Sequence, residues 1–254
     1  MLEWWHILLI IVGALLLLFV LSIVLYRQFF KRFWDFVLSG LAIIVLSPIL
    51  LILTVVGAIV MKGNPFFSQK RPGKKDKNGK EKIFRLVKFR SMSNAKDKKG
   101  NLLPDEKRLN KYGSFLRSTS LDELPELFNI FIGDMSIIGP RPQLVRDMVF
   151  MSEEERHRHD VRPGLSGLAQ INGRNNITWE QKFEYDLVYI KKITLFSDLI
   201  LILKTIFKVF KRSDTVREGT ASDIDFGDWL FAKGVVDKED YLRKQKEAKI
   251  ILGE

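Results

Sequence analysis

The sequence predicts a helix-rich α+β protein anchored in a membrane. It would have one N-terminal transmembrane helix, a re-entrant membrane helix broken by proline, and a cytoplasmic domain with a small β-hairpin and interfacial amphipathic helices. Three observations carry this: two long apolar runs at the start, one later patch alternating apolar and basic residues, and helical spacing through much of the rest. The chain has 254 residues, a formal net charge of +11 and no cysteine. That length suits one folded domain plus membrane segments. Disulfides and thiolate metal sites are excluded. The histidines are too few and scattered for a zinc site, with His157 and His159 alone weak ligands. The positive excess predicts an anionic partner, whether nucleic acid, lipid headgroups or a phosphorylated small molecule.

Residues 1–28 form the anchor. The run at residues 4–26 holds little that is polar beyond His6 and Ser22, and at about 1.5 Å per residue it can cross a hydrocarbon core of about 30 Å. A signal peptide is disfavoured because no basic n-region precedes the run and no cleavage site follows it. Arg27, Lys31 and Arg32 follow the run while residues 1–3 carry no basic side chain. The positive-inside rule therefore places residue 27 in the cytoplasm.

Residues 29–62 form the second membrane element. The run at 33–61 has Asp35 as its only charge, "LSPILL" at its middle and basic residues at both ends. Pro48 removes a helical hydrogen bond and Ser47 can re-satisfy the freed carbonyl, so a bend is expected there. A crossing helix would put a strongly basic domain outside, against the charge bias. A helix that enters, breaks at Ser47-Pro48 and leaves on the same face fits both ends; a proline-kinked span is the alternative. Asp35 is expected to pair with Lys31, four residues earlier.

Residues 63–212 form the cytoplasmic domain. "KIFRLVKFRSM" reads as a strand or hairpin with "KKDKNGKEK" as its loop. In "STSLDELPELFN" a helix begins, with either Ser120 and Glu123 as a capping box or Asp122 as the cap and Pro125 in the first turn. "EEERHRHD" reads as an exposed helix surface, and "TWEQKFEYDLVYIKK" as helix, with Trp179 and Tyr185 core aromatics. The last apolar helix, residues 195–212, sets Lys204, Lys208 and Lys211 or Arg212 opposite Leu, Ile and Phe. That pattern fits a helix in the headgroup plane with lysines to anionic lipid, or a buried amphipathic core helix. Residues 213–254 are a polar C-terminal tail with a candidate helix at 239–251.

"KFRSM", "LRSTSLDELPELFN", "GDMSIIGPRP", "VRPGLSGLAQINGRN" and "WEQKFEYDLVYI", in that order, resemble the bacterial sugar transferases, the monotopic phosphoglycosyl transferases of the small catalytic-core type. The likeness covers roughly residues 29–212; the first run and the tail depart from it. The resemblance implies a sugar 1-phosphate transferase acting on a nucleotide-diphosphate sugar, with uridine the expected base. Polyprenyl (undecaprenyl) phosphate would be the acceptor, at the cytoplasmic face of a bacterial inner membrane, in the first membrane step of capsule, exopolysaccharide or O-antigen assembly. It implies that Asp122 attacks the sugar-linked phosphorus, that nucleoside monophosphate leaves, and that polyprenyl phosphate takes the phosphosugar from the covalent intermediate. Glu123 would share a magnesium ion with Asp122, and Lys88 and Arg117 would belong to the catalytic surroundings. Downstream glycosyltransferases and a second copy of the chain are further candidate partners.

The chemistry suits these residue types. A carboxylate nucleophile splits the exchange into two displacements, and Mg²⁺ needs only one or two protein carboxylates beside phosphate and water. Without a Walker-type glycine loop, side chains and helix-end amides must hold phosphate. Arg90 follows the strand; Arg141 in "GPRP", Arg162 in "VRPG", and Arg174 with Asn175 in "NGRN" lie in proline- or glycine-rich turns able to aim a donor at phosphate or base. Any one of these arginines alone reads as a surface ion pair. The rival from another class is a non-enzymatic basic membrane protein binding anionic lipid or nucleic acid; the transferase reading needs no nucleic acid and leaves the particular sugar open.

Overall fold

The computed structural model describes residues 3–173, 177–211 and 224–254. Helix α1 (Trp4–Val24) runs through a π-helical turn, Tyr26–Phe30, into α2 (Lys31–Val60). Both helices are long and apolar enough to cross a membrane. α1 exposes Leu8, Leu9, Ile10 and Ile11, and again Leu15, Leu16, Leu17 and Leu18, around its circumference, so it has no protein-facing stripe and is built for an apolar solvent.

α2 stays helical through Pro48. The proline lacks the donor that would have served Ile44, and the Ser47 hydroxyl donates to that carbonyl at 2.7 Å instead. The break expected at Ser47-Pro48 is therefore no gap in the helix, because one hydrogen bond replaces another. The expected partner of Asp35 also differs. Its carboxylate accepts from the backbone N–H of Ile137 at 2.9 Å, while Lys31 pairs with Asp198 at 2.5 Å.

Strands β1 (Phe66–Lys75) and β2 (Glu81–Phe89) form the expected antiparallel hairpin, Phe66 opposite Phe89 and Arg71 opposite Phe84. Asp76 closes its loop by accepting from the N–H groups of Asn78 and Lys80, and Gly79 supplies the left-handed residue (φ 77°). After a short α3 (Asp105–Arg108), α4 (Lys111–Thr119) starts on Asn110, whose side chain accepts from Gly113 N–H. α4 ends at Ser120 in the left-handed conformation (φ 57°). A 3₁₀ turn, Leu121–Glu123, leads through Pro125 into α5 (Glu126–Ile132). Ser120 thus closes one helix rather than capping the next, and no side chain caps the turn or α5.

Two short parallel strands follow, β3 (Ser136–Ile138) and β4 (Gly164–Ser166). Between them lie α6 (Val145–Met148) and a 3₁₀ helix, Glu155–Asp160. Arg158 and His159 of that helix are buried, at 1% and 3% exposure, against the expectation of a wholly exposed surface. α7 (Leu168–Asn172), α8 (Trp179–Lys191) and α9 (Leu195–Lys211) complete the domain. Trp179 is a core aromatic as expected; Tyr189, not Tyr185, is the buried tyrosine of α8. On α9 the inner face holds Asp198, Leu201 and Thr205, while Phe196, Leu199, Ile200, Leu203 and Phe207 are exposed. Lys208, which only one of the two readings of this helix puts at lipid headgroups, donates to the carbonyl of Ile171 at 3.2 Å.

The described part of the C-terminal segment packs on the domain. α10 (Phe226–Ala232) and α11 (Lys238–Leu252) join α6 and α8 in one apolar cluster with Val145, Phe150, Trp179, Phe183, Phe226 and Ala248. Asp147 accepts from Phe226 N–H at 2.8 Å and Lys244 donates to the Val149 carbonyl at 2.6 Å. Of the segment read as a polar tail, residues 224–254 are thus part of the core, because Phe226, Trp229 and Leu230 recur at helical spacing between charges; residues 213–223 lie outside the described residues.

Candidate functional site

Asp122 and Glu123 lie in the 3₁₀ turn between α4 and α5, at the floor of a cleft of about 980 Å³. Three anchors position this turn. Gly113 of α4 lies so close to Ser91 that a Cβ would sit 1.7 Å from the Ser91 carbonyl oxygen, so α4 can pack there only with glycine. Arg117 then reaches Ser91, its Nε donating to the hydroxyl at 3.0 Å. Asn129 of α5 ties that helix to β2: its Oδ1 accepts from Val87 N–H at 3.1 Å and its Nδ2 donates to the Arg85 carbonyl at 2.7 Å. The next strand position, Lys88, is thereby fixed against α5.

The Lys88 ammonium lies 3.0 Å from Glu123 Oε1 and 2.9 Å from Glu126 Oε1. Arg141 Nη2 reaches the same Glu123 oxygen at 2.7 Å. Burial opposes the charge on Lys88, but Glu123 and Glu126 outweigh it and hold the amine above its ordinary value. Burial pushes the Asp122 carboxyl up, as does the charge of Glu123; Lys88, Arg117 and Arg141 pull it back, leaving it at about 6. Glu126, almost fully buried, is raised first by burial.

The sequence-derived candidates divide. Lys88, Arg90, Arg117, Asp122, Glu123 and Arg141 all line this one cleft. Arg162 does not: its Nε donates to the Gly133 carbonyl at 2.9 Å, closing the end of α5 beside Arg32. Its position beside a proline-glycine turn suits that capping as well as it would suit a phosphate, and the sequence alone has no means to choose. Arg174 and Asn175 lie outside the described residues. Ser47 and Pro48 lie in α2, away from the cleft lining.

The structure adds residues that sequence reasoning missed. Glu126 is a second acid paired with Lys88, and its signal was present in "DELPE", one helical turn after Glu123. Arg71 of β1 reaches the loop after Arg141 through a 3.1 Å hydrogen bond to the Pro142 carbonyl. Lys182 and Asp186 of α8, within the last motif block, also line the cleft, as do Asp225 and Asp228 of the C-terminal segment; with Arg71, these last two draw the cleft beyond the five motif blocks.

Chemically, the cleft offers the Asp122 carboxylate within electrostatic reach of Lys88, Arg117 and Arg141, three cations from separate parts of the chain. No group of three or more His, Asp or Glu with metal-holding geometry occurs among the described residues. The acid pair supplies one or two hard oxygen donors beside an anion-attracting surface. That donor set fits a magnesium ion whose remaining ligands come from phosphate and water.

The bacterial sugar transferase family model matches residues 26–212. An uncharacterized sugar transferase, EpsL, of Bacillus subtilis (strain 168) is 43% identical over 180 residues, 70% of this chain and 86% of the relative. A UDP-glucose:undecaprenyl-phosphate glucose-1-phosphate transferase of Klebsiella pneumoniae is 41% identical over 197 residues, 71% of this chain but 40% of the relative. An undecaprenyl-phosphate galactose phosphotransferase of Salmonella typhimurium (strain LT2) is 33% identical over 209 residues, 73% of this chain and 41% of the relative. The chain thus spans about two fifths of the length of the named transferases.

Proposed function

The chain belongs to the bacterial sugar transferase family, and on that premise we propose that it moves a sugar 1-phosphate from a UDP-sugar to undecaprenyl phosphate. In the first displacement an Asp122 oxygen bonds to the sugar-linked phosphorus while the bond from that phosphorus to the bridging oxygen breaks. UMP leaves with that electron pair, and a phosphosugar stays on the carboxylate. In the second, an oxygen of undecaprenyl phosphate bonds to the same phosphorus, and the aspartyl oxygen leaves. The products are the lipid diphosphate sugar and the free enzyme. One observation carries this reading: Asp122 sits among Lys88, Arg117 and Arg141 in one cleft.

The two carboxylates and a diphosphate repel one another, so the rate must come from positioning and charge neutralisation. Arg117 and Arg141 offer planar donors to phosphate oxygens. Lys88 holds Glu123 and Glu126 and keeps the charge of the acid cluster in balance. Asp122 and Glu123 would hold Mg²⁺, which when bound neutralises phosphate charge.

We place the domain on the cytoplasmic face, with α2 entering and leaving the membrane on that side. Two contacts at opposite ends of α2 support this. Arg32 donates to the Ile130 and Phe131 carbonyls at 2.7 Å each. Near the other end, Tyr112 donates to the Leu53 carbonyl at 2.9 Å and its hydroxyl crowds Gly57. Those positions are about 30 Å or more apart along a helix. A helix held by one domain at both ends does not easily place those ends on opposite sides of a bilayer. Cysteines introduced at Gln28 and Asn64 should both be labelled from the cytoplasmic side; labelling from opposite sides would refute that course.

The covalent mechanism is tested without a lipid acceptor. Donor and magnesium should release at most one equivalent of UMP and leave a phosphosugar mass on Asp122. An active preparation with neither burst nor adduct would mean direct transfer in a ternary complex.

A further inference from the structure

The loop Gly139-Pro140-Arg141-Pro142 carries Arg141 into the cleft, and three successive carbonyls of that loop are each held by a different element. Gly164 N–H donates to the Pro140 carbonyl at 2.9 Å. Arg158 Nη2 donates to the Arg141 carbonyl at 2.7 Å. Arg71 Nη1 donates to the Pro142 carbonyl at 3.1 Å. Pro142 already biases Arg141 toward extended backbone, and the three donors fix the direction in which its side chain leaves.

Arg158 is the unusual member. It is 1% exposed, on the 3₁₀ helix behind the loop, and its Nε and Nη2 reach Asp186 Oδ2 at 3.0 and 2.6 Å. Its guanidinium lies 5.7 Å from the centre of the Phe183 ring, and its Nη1 has no hydrogen-bond partner among the described residues. Burying such a pair is costly, and well-packed apolar residues of similar volume often serve stability as well or better. A charged pair with an orphaned nitrogen needs a reason beyond packing. The geometry supplies one. A guanidinium has several donors in a rigid plane, so a single side chain can hold a carboxylate and a carbonyl at a fixed angle. An aliphatic residue could fill the volume but could not hold the Arg141 carbonyl.

We propose that Arg158 and Asp186 are positioning residues for the transfer: they set the backbone at Arg141, and through it the guanidinium that meets Glu123 and the donor phosphate. This rests on the catalytic reading of the cleft. Arg158 does not line the cleft, and Asp186 borders it with a carboxylate already held by Arg158. Asp186 orients Arg158, Arg158 holds the carbonyl, and Arg141 acts.

The test compares single and double substitutions by the rate of phosphosugar adduct formation, measured per folded protein. Arg158→Gln should slow the adduct step about 10- to 100-fold, the scale of a small misplacement of a reacting or stabilising group. Arg158→Lys, which keeps the charge but not the fork, should fall between Arg158→Gln and the parent. If Arg158 acts through Arg141, then Arg141→Ala combined with Arg158→Gln should be within about twofold of Arg141→Ala alone. Losses that multiply would overturn the proposal, since a purely structural role is independent of Arg141. Asp186→Asn carries the same comparison should Arg158→Gln fail to fold. The parent's own adduct separates the two layers. A parent that forms none refutes the covalent reading. A parent that forms it, with multiplicative doubles, refutes only the positioning role.

Discussion

Two polar clusters of this domain, one around Asp198 and one in the cleft, are built on opposite plans. Under the membrane helices, Asp198 accepts from Tyr26 at 2.8 Å, Tyr189 at 2.8 Å and Lys31 at 2.5 Å. That cluster is closed: one carboxylate, one ammonium and two hydroxyls joining the start of α2 to α8 and α9. The cleft cluster is open. Asp122, Glu123 and Glu126 crowd together, Lys88 and Arg141 share a single Glu123 oxygen, and the Asp122 carboxyl is pushed up to about 6 by burial and its neighbour. Groups arranged for stability are matched within the chain. Groups arranged for chemistry line a cleft, where charge from outside can reach them.

Substitutions should separate the two plans. Asp122→Asn gives the largest functional effect: adduct formation and lipid transfer fall about 10³-fold or more, as for loss of a covalent nucleophile. Its melting temperature should hold or rise, because ionising Asp122 above its raised value of about 6 costs folding free energy. A fall in melting temperature with activity retained would erase the contrast. Asp198→Ala should do the reverse. It strips a buried carboxylate from the half-buried Lys31 and is expected to cost about 3–5 kcal/mol, while turnover per folded molecule stays near that of the parent. Thermal melts in detergent alongside adduct kinetics measure both.

Asn129→Ala lies between the plans. It leaves Val87 N–H and Arg85 C=O without their side-chain partner, each worth about 1–3 kcal/mol, and it loosens Lys88 from α5. Both stability and adduct rate should decline together, and a loss in only one would show that the hairpin and the acid turn are independently held.

The smallest expected effect is a pH dependence at the hairpin. His159 is buried against Glu81, which Arg156 also holds at 2.8 and 2.5 Å. Burial depresses the imidazole from 6.5 to about 4. The unfolded chain therefore binds more protons across that window, and stability present above about pH 6.5 is lost as pH falls toward 4, by up to about 3 kcal/mol. His159→Gln should flatten the melting temperature between pH 7 and pH 5. An unchanged slope would place the acid sensitivity elsewhere.

The legible part of the molecule was what periodicity and motif order encode. The two apolar helices, the hairpin with its Asp76–Gly79 loop, the helix at 239–251 and six residues of the cleft were readable. Each depends on local spacing or on a block of adjacent residues. The capping at Ser120 was not readable, because a left-handed residue ending α4 and a serine starting α5 leave the same local pattern. Nor was the destination of Arg162, since a guanidinium beside a turn serves a carbonyl as readily as a phosphate.

The amino-acid sequence by itself determined which stretches are apolar enough for a membrane, where the hairpin turns, and that acids and arginines would gather around one pair. Only the tertiary structure decided which partners they take. Lys31 meets Asp198 and not Asp35, Lys88 meets Glu126 as well as Glu123, and Arg158 turns inward to hold the Arg141 carbonyl. The physical reason is that local hydrogen bonds and hydrophobic periodicity are written within a few residues. The pairing of buried charges is settled by whichever distant groups the packed core brings within about 3 Å.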